Sequence, residues 1–279
     1  MQRLRVYQSL WGMEQRIPGR EELPPERHFE RIAAAGYHGV CLDPAVHEIE
    51  ANLALAPLFA RHGLECMVNA FPHTVEELRP LLAMARDLRA TQVNVIGGVM
   101  PLRASEAVPV IRAWLDMAQE HDFPVLLETH RNGTLNDLYF TLEVLEHIPE
   151  LRLCADLSHF VVDREFHLPI PAQQSGYITE VLDRSDSFQG RISSNEQVQI
   201  AIDFPQHRAW VEQFRQWWAQ GMRAWRQRSA ADATLRFLVE LGPPPYAITD
   251  ANGHELSDRW AEGLTIRRWA EEIWDASGG

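Results

Sequence analysis

The sequence contains little cysteine and no long apolar run. Three cysteines, Cys41, Cys66 and Cys154, stand among 279 residues at unrelated spacings within apolar stretches. An odd number without a CxxC pair gives neither a disulfide framework nor a cysteine metal site, so we expect buried, unreactive thiols. No segment approaches the roughly 20 apolar residues of a membrane span, and the N-terminus shows no signal-peptide core. We therefore expect a soluble, cytoplasmic protein with no membrane partner.

Positive charge is also scarce. The chain carries 26 basic and 39 acidic residues, which gives a net charge of −13. Affinity for nucleic acid comes largely from attraction to phosphate, and no basic stripe with interleaved aromatic residues offsets the acidic balance. We do not expect DNA or RNA as a partner.

The sequence does contain a regular alternation of short β-rich runs and longer helical runs. Apolar, strand-like segments occur at residues 4–10, 39–43, 65–71, 92–98, 124–128, 151–156 and 235–240, and a less clear, more polar strand is placed at residues 189–194. Helical patterns cover residues 28–35, 47–61, 105–121, 135–147, 206–228 and 258–276. A further helix is predicted after Thr74, which forms a capping-box pattern with Glu77.

Nearly all-apolar strands that alternate with helices predict a parallel sheet covered on its outer face. An open doubly wound sheet would be expected to carry a glycine-rich phosphate turn after the first strand. Leu10-Trp11-Gly12-Met13 follows that strand instead. We therefore predict an α/β fold, a single (β/α)8 TIM barrel that covers residues 1–279 as one domain, close to the usual length of about 250 residues.

Carboxylates end three of the predicted strands, at Glu128, Asp156 and Glu240. In this fold the active site lies at the carboxyl ends of the strands. A carboxylate that follows an apolar run is costly to desolvate unless it meets a cation or donors, and three that converge repel one another. A divalent cation would resolve both problems. The three residues together predict a metal site, in which oxygen ligands suit Mg²⁺ or Mn²⁺ and mixed oxygen and nitrogen ligands admit Zn²⁺ or Co²⁺.

Each residue taken singly has a simpler interpretation. A strand-end carboxylate is often a helix N-cap or an ion-pair partner. His130 and His159 lie two and three residues beyond a proposed ligand, where a substrate contact and a structural role are equally compatible with the pattern. Asp43 and Asn69 end the second and third strands and reach toward the same end, although Asp43-Pro44 favours a turn.

The three strand ends carry longer motifs, which read Glu128-Thr-His-Arg, Asp156-Leu-Ser-His159 and Glu240-Leu-Gly-Pro-Pro-Pro-Tyr. With these motifs the sequence resembles the xylose isomerase-like barrels of the sugar phosphate isomerase/epimerase family, over most of the chain and most strongly from about residue 124 onward. The resemblance implies that a Glu after strand five, an Asp after strand six, a His on strand seven and a Glu after strand eight bind one divalent metal. It also implies that Glu128 and Glu240 transfer protons and that His159 contacts substrate oxygens.

The seventh strand departs from this family pattern. Gln189 aligns with the metal-binding His, and Arg191 follows two residues later, on the same side of a strand. A Gln oxygen binds a hard cation but is a poor partner for Zn²⁺. Two alternatives follow: a weaker site of three carboxylates plus Gln189 or water, or a site that has lost its metal. Glu196, Gln197 and Gln199 are alternative ligands nearby.

The favoured hypothesis is a metal-dependent isomerase or epimerase of carbohydrate metabolism. It would act on a small sugar or related polyhydroxy carbonyl compound through a cis-enediolate. Glu128 and Glu240 would remove and return the proton, while Arg191 and His159 would position hydroxyls or an anionic group. Trp11 is a candidate apolar wall for a sugar face, although a core tryptophan is the commoner role.

Two other functions fit the same barrel. One is metal-assisted hydrolysis or lyase chemistry, as in the endonuclease IV phosphodiesterases, against which the acidic charge and the few strand-end histidines argue. The other is a non-catalytic sugar-binding barrel, which the absence of the strand-seven His supports.

A tryptophan-rich stretch from Trp210 to Trp225 exceeds what one barrel helix needs. Exposed aromatic patches usually mark interfaces, so a homo-oligomer contact is one interpretation. Packing of an irregular helix against the barrel wall is the other.

Overall fold

The structure is a computed structural model that describes residues 1–278. Eight parallel strands close into a barrel in sequence order, and β1 pairs with β8 from Arg3↔Thr234 to Gln8↔Val239. The strands are β1 (Arg3–Ser9), β2 (Gly39–Leu42), β3 (Glu65–Ala70), β4 (Val93–Val95), β5 (Val125–Glu128), β6 (Leu153–Ala155), β7 (Ser185–Gln189) and β8 (Thr234–Val239). The predicted (β/α)8 barrel is confirmed.

Helices connect the strands and cover the outer face of the barrel. They are α1 (Pro25–Ala34), α2 (Ile49–Leu53), α3 (Ala56–His62), α4 (Leu78–Asp87), α5 (Ala104–Ala118), α6 (Leu138–His147), α7 (Leu157–Asp163), α8 (Ala172–Asp183), α9 (Arg208–Arg228) and α10 (Arg259–Ala276). The predicted helix over residues 47–61 is two helices, and α7 and α8 were not predicted. Before α4 the Thr74 hydroxyl accepts from the Glu77 backbone N–H at 3.3 Å, as the capping-box pattern indicates.

The seventh strand lies earlier than predicted, at residues 185–189 and not 189–194. Its sequence alternates serine with other residues, and the buried hydroxyls of Ser185 and Ser187 donate to the carbonyls of Val181 and Arg236. These internal hydrogen bonds let small polar side chains fill strand positions, so the strand lacks the apolar run that marks the others. Gln189 is the last residue of β7, and Arg191 lies just beyond the strand.

Successive strand residues alternate between the barrel interior and the surrounding helices. Tyr7, Cys41, Met67 and Leu238 form a separate apolar cluster, while the residues beside them in sequence belong to the large core with the helices. The interior is tightly filled: a Cβ on Gly39 would lie 2.4 Å from the Tyr7 ring. The residues two positions further along these strands also point into the barrel, nearer to its carboxyl end. They are Ser9, Asp43, Asn69 and Glu240.

The tryptophan-rich helix α9 packs against the barrel wall. Trp210, Trp217, Trp218 and Trp225 are all buried within the chain, and Trp218 meets Phe237 of β8 edge to face at 5.2 Å between ring centroids. Truncating a buried aromatic of this size costs about 3–5 kcal/mol. The packing interpretation of this segment is therefore the one that the structure supports.

Two further expectations concern membranes and thiols. In the described part of the chain, no helix combines the length and apolar character needed to cross a lipid bilayer. Cys41, Cys66 and Cys154 are buried and unpaired, and burial raises the pKa of each thiol. They behave as small core residues, as predicted.

Candidate functional site

The structure brings together the three strand-end carboxylates at the mouth of the barrel. Glu128 ends β5, Asp156 directly follows β6 and Glu240 directly follows β8. One oxygen atom from each residue lies within 4.8 Å of the others, and all three side chains are buried. The parity of the strands explains this convergence, because each carboxylate lies on the interior side of its strand.

A guanidinium group lies among these carboxylates. Gln189 of β7 pairs with Leu238 of β8, so Arg191 comes level with Glu240 two residues further on. The Arg191 Nη2 donates to the Glu240 carboxylate, and its Nε lies 3.3 Å from Asp156 Oδ2. Arg191 is only 2% exposed. Two of the three carboxylates therefore already have a buried cation as partner.

The third carboxylate contacts an amide. Gln189 Nε2 donates to Glu128 Oε2 at 2.8 Å. The amide oxygen of Gln189 is buried and has no hydrogen-bond partner among residues 1–278. A metal-binding role for Gln189 requires that oxygen to face the ion, and it stays a prediction.

Buried polar atoms without a hydrogen-bond partner in the described chain are concentrated here. They include Glu128 Oε1, Asp156 Oδ2, Gln189 Oε1, both ring nitrogens of His159, and Nε and Nη1 of Arg191. Most buried polar groups in proteins are paired, so each exception needs an explanation. A concentration of such atoms at the mouth of a barrel indicates a ligand-binding site.

Asp156 serves the local structure as well as the site. Its Oδ1 accepts from the Ser158 backbone N–H at 3.0 Å and caps the start of α7. The Thr129 hydroxyl accepts from the Asp156 N–H at 2.9 Å and donates to the Asp156 carbonyl at 3.0 Å, which ties β5 to β6. One carboxylate oxygen is thus fixed by the helix, and the other points toward Arg191.

Burial and charge set the ionisation of the mouth. Burial raises the pKa of Glu128 well above its ordinary value, and the charges of Glu240 and Asp156 raise it further. Burial also raises the pKa of Asp156 and of Glu240, with the Arg191 charge opposing it in both. Burial alone would lower the pKa of Arg191, but Glu240 and Asp156 outweigh it and keep the guanidinium charged.

Two histidines lie side by side behind this cluster. The rings of His130 and His159 are 4.0 Å apart between centroids, and His159 Nε2 is 3.4 Å from Asp156 Oδ2. Burial lowers the pKa of His130 to about 3, with the Arg191 charge adding to the effect, and it lowers the pKa of His159 well below its usual range. Both rings are therefore neutral at pH 7. His130 lines the mouth cavity, whereas His159 is fully buried, and its contact with substrate stays a prediction.

A cavity of about 400 Å³ opens above these residues. Its floor carries Glu128, Arg191 and Glu240, and Trp11, Phe71 and Tyr246 contribute aromatic wall. A larger cavity of about 660 Å³ lies to one side, between the segments around Ile17 and Asp258, and is lined by none of the three carboxylates. The smaller cavity holds the chemistry and has the size of a small-ligand pocket.

Trp11 lines the cavity, in agreement with one of its two predicted roles. It meets Tyr246 edge to face at 5.2 Å, and the Arg191 guanidinium carbon lies 4.9 Å from the Tyr246 ring centroid. Tyr246 was missed as a site residue, as was Phe71. The position of Tyr246 at the end of the motif after β8 was the available signal.

Asp43, for which a role in a turn was predicted, lines the cavity. Asn69 Nδ2 donates to Asp43 Oδ1 at 2.9 Å, and Asn94 Nδ2 in turn donates to Asn69 Oδ1 at 2.9 Å. Burial raises the pKa of Asp43 to about 8, and the Glu240 charge adds to this. The site therefore contains a fourth carboxyl group, held in place by a chain of amides.

The alternative ligands near strand seven do not reach this cluster. Glu196 and Gln197 are exposed, whereas the three carboxylates are buried. Gln199 is buried, but its side-chain amide binds the backbone N–H and carbonyl of Gly242.

By spacing alone, the three carboxylates could ligate one divalent ion. The complete donor set does not fit one. Arg191 contacts Asp156 and Glu240, and Gln189 presents an amide N–H to Glu128. A second cation beside the buried guanidinium would be repelled by it. Of the two alternatives from the sequence, these contacts favour a site that has lost its metal.

The fold is a TIM barrel, and solved structures share it. A D-allulose 3-epimerase from Methylomonas sp., in complex with D-allulose, superposes with a TM-score of 0.60 at 14% identity over 97% of each chain. An L-ribulose 3-epimerase superposes with a TM-score of 0.60 at 17% identity, over 98% of this chain and 95% of that one. No protein-family model and no curated protein matches the sequence. At these identities the likeness confirms the fold.

Proposed function

We propose that this protein is an isomerase or epimerase of a small sugar or related polyhydroxy carbonyl compound, with Glu128 as a proton-transferring residue. The observation that carries the proposal is the placement of Glu128 Oε1, which lies buried at the cavity floor without a hydrogen-bond partner in residues 1–278. The similarity in fold to two sugar 3-epimerases supports the same class of substrate.

The reaction is proton transfer at the carbon next to a carbonyl. One of the two mouth glutamates, Glu128 or Glu240, would take the proton, the C–H electron pair would form a C=C bond, and the carbonyl oxygen would become the oxyanion of a cis-enediolate. Return of a proton from a second carboxyl group completes isomerisation or epimerisation. Glu128 and Glu240 both line the cavity and are our choice for this pair.

The remaining cavity residues suit a polyhydroxylated ligand. Trp11 and Tyr246 provide an apolar wall for the C–H face of a sugar. His130 and Asp43 offer polar atoms for hydroxyl groups on the same cavity surface. Specificity within this class depends on the loops after the strands and is left to experiment.

Proton exchange measures the proposed step directly. Incubation in D₂O with a panel of ketoses and aldoses, followed by NMR, reports deuterium entry at the carbon next to the carbonyl. We expect exchange in the wild type and a loss of about 10²–10⁴-fold in Glu128→Gln and in Glu240→Gln. Glu65→Gln, at the opposite end of the barrel, is the matched control and should exchange like the wild type. Wild-type rates in both mouth variants would refute the proposal.

A sugar-binding barrel without catalysis is the second candidate, and the ion pairs of Arg191 with two mouth carboxylates favour it. Saturable binding of a sugar, measured by calorimetry, without any exchange across the panel would support this candidate over the enzyme.

A further inference from the structure

We infer that Arg191 is the resident cation of this site, in the place where a divalent metal would otherwise bind the strand-end carboxylates. It holds Asp156 and Glu240 together, and it offers free N–H groups to an oxyanion formed on the substrate. The second statement rests on the proposed function, whereas the first can be tested without any activity.

The position of Arg191 supports the first statement. The pairing of Gln189 with Leu238 places Arg191 directly across from Glu240, and both of its neighbouring carboxylates belong to the group whose oxygens lie within 4.8 Å of one another. The guanidinium therefore contacts two of the three carboxylates that a shared ion would also contact. Its side chain is shielded from bulk solvent, because it is only 2% exposed.

The charge balance supports it as well. A buried guanidinium requires carboxylate partners, and carboxylates buried as a group require a cation, so each compensates the desolvation of the other. Arg191 contributes one positive charge that is permanent, because a guanidinium does not lose its proton in proteins. Glu128 is left outside these ion pairs and contacts the neutral amide of Gln189.

The free donors of Arg191 support the second statement. Within the described chain, its Nη1 is buried and lacks a hydrogen-bond partner, and the residue lines the cavity between Trp11 and Tyr246. When the C–H bond beside the carbonyl breaks, negative charge moves to the carbonyl oxygen, and a fixed N–H donor at that point stabilises it.

The sequence contains no lysine, because all 26 basic residues are arginine. The carbonyl therefore cannot be activated as a lysine Schiff base.

Metal content and thermal stability of the wild type provide the first test. The protein is purified from cultures supplemented with Mn²⁺, Co²⁺, Zn²⁺ and Mg²⁺, and its metals are measured by plasma mass spectrometry. We expect far less than one ion per chain, and a Tm that changes neither with EDTA nor with millimolar Mn²⁺. One tightly bound ion per chain whose removal lowers Tm would overturn the inference.

Arg191→Ala provides the converse test. Without the guanidinium the carboxylates have no cation, so we expect a lower Tm and a new response to divalent ions. At about 100 times its dissociation constant, Mn²⁺ should raise the Tm of the variant by roughly 5–10 °C. Methylguanidinium should give a partial rescue, since it restores the missing group. A folded variant whose Tm responds to neither cation would contradict the inference.

Arg259→Ala is the matched control. Arg259 is also a buried arginine, held by Glu255 and by the carbonyls of Gly12 and Leu241, but it lies outside the carboxylate group. Its loss should lower Tm with no rescue by Mn²⁺. If Arg191→Ala does not fold, Arg191→His, which supplies a metal ligand at the same position, should bind about one ion per chain. The wild-type measurements decide the question in either case.

Exchange kinetics separate this inference from the proposed function. Wild-type exchange should persist in EDTA, and Arg191→Ala should lose about 10²–10³-fold. If the wild type never exchanges but binds no metal, and Arg191→Ala gains metal binding, then the proposed function fails and the resident cation stands. If wild-type exchange requires added Mn²⁺, the resident cation fails and the proposed function stands.

Discussion

Each end of the barrel holds a cluster of arginine and carboxylate groups, and the two clusters differ in hydrogen bonding and in exposure to solvent. We define the base cluster as Arg5, Tyr7, Glu65, Thr91 and Arg236, and the mouth cluster as Glu128, Asp156, Gln189, Arg191 and Glu240. In the base cluster the Tyr7 hydroxyl donates to Glu65 and lies 2.8 Å from the Thr91 hydroxyl. Arg236 Nε donates to the hydroxyl of Thr91. The Glu65 side chain is 34% exposed to solvent.

The two clusters differ in how completely their side-chain polar atoms are hydrogen-bonded and in how much solvent reaches them. No side-chain atom of the base cluster appears among the buried unpartnered atoms of residues 1–278, whereas four of the five residues in the mouth cluster contribute such atoms. Similar chemical groups therefore stabilise the fold at one end and remain available to a ligand at the other. Polar groups left unpaired at some cost in stability are typical of functional sites.

The largest effect should come from breaking an ion pair at the mouth. Asp156→Ala removes a partner of buried Arg191 and the N-cap of α7, so we expect a loss of about 3–5 kcal/mol in unfolding free energy. Glu65→Ala in the base cluster should cost about 1 kcal/mol because its carboxylate is partly hydrated. Urea unfolding at pH 7 measures both, and Asp156→Asn, which keeps the cap, should fall between them. Equal losses in the two alanine variants would remove the contrast.

Glu262, a buried acid outside both clusters, shows how burial alone changes the pKa of a carboxyl group and the pH dependence of stability. Glu262 of α10 is buried and accepts from the Ile202 N–H at 3.0 Å, and burial raises its pKa from 4.5 to about 7. The unfolded chain releases this proton at lower pH than the folded one. Its contribution to stability therefore falls as pH rises from about 4.5 to 7, by about 3 kcal/mol.

Glu262→Gln should remove that contribution. We expect the unfolding free energy of the variant, relative to the wild type, to rise by this amount between pH 4 and pH 8. Urea unfolding across that range measures the difference, and proton exchange on sugars should be unchanged. Parallel stability curves for the two proteins would show that the carboxyl of Glu262 ionises normally.

Glu128→Gln should change stability in the direction opposite to Asp156→Ala. The amide keeps an acceptor for Gln189 and removes a carboxyl that is buried beside Glu240 and Asp156. We expect a gain of about 1–2 kcal/mol at pH 7, seen as a rise in Tm by scanning calorimetry, together with the loss of exchange. A fall in Tm would mean that Glu128 is paired more favourably than the contacts indicate.

The smallest effect should come from the base cluster itself. Tyr7→Phe removes one hydroxyl that donates to partly hydrated Glu65, at a cost of about 1 kcal/mol in unfolding free energy. Sugar exchange should be unaffected, because the hydroxyl is separated from the mouth by the apolar interior layer. A reduced exchange rate in this variant would show that the two ends are coupled.

The barrel and its three carboxylates were predictable because strand parity is written in the sequence. Glu128, Asp156 and Glu240 each follow an apolar run on the interior side of a strand, and parallel strands bring such positions to one end. β7 broke this pattern, since Ser185 and Ser187 fill buried positions by hydrogen bonding to backbone carbonyls.

The ion pairs of Arg191 with Asp156 and Glu240 could not be predicted from the sequence. Parity places Gln189 and Arg191 on one side of the strand, but only the pairing of β7 with β8 shows which of them is level with Glu240. The aromatic walls were hidden for a different reason. Phe71 and Tyr246 lie after strand ends, in segments without periodicity, where side-chain direction depends on the path of the loop.

Gly242 lies close to the Trp11 ring, which forms part of the cavity wall. A Cβ at this position would lie 2.3 Å from the Trp11 ring, and the side chain of Gln199 holds the Gly242 backbone by hydrogen bonds of 2.7 and 2.9 Å. Because that backbone is clamped, any added side chain must displace the indole. A substitution at Gly242 would thus change the aromatic wall of the cavity while leaving Glu128, Arg191 and Glu240 in place.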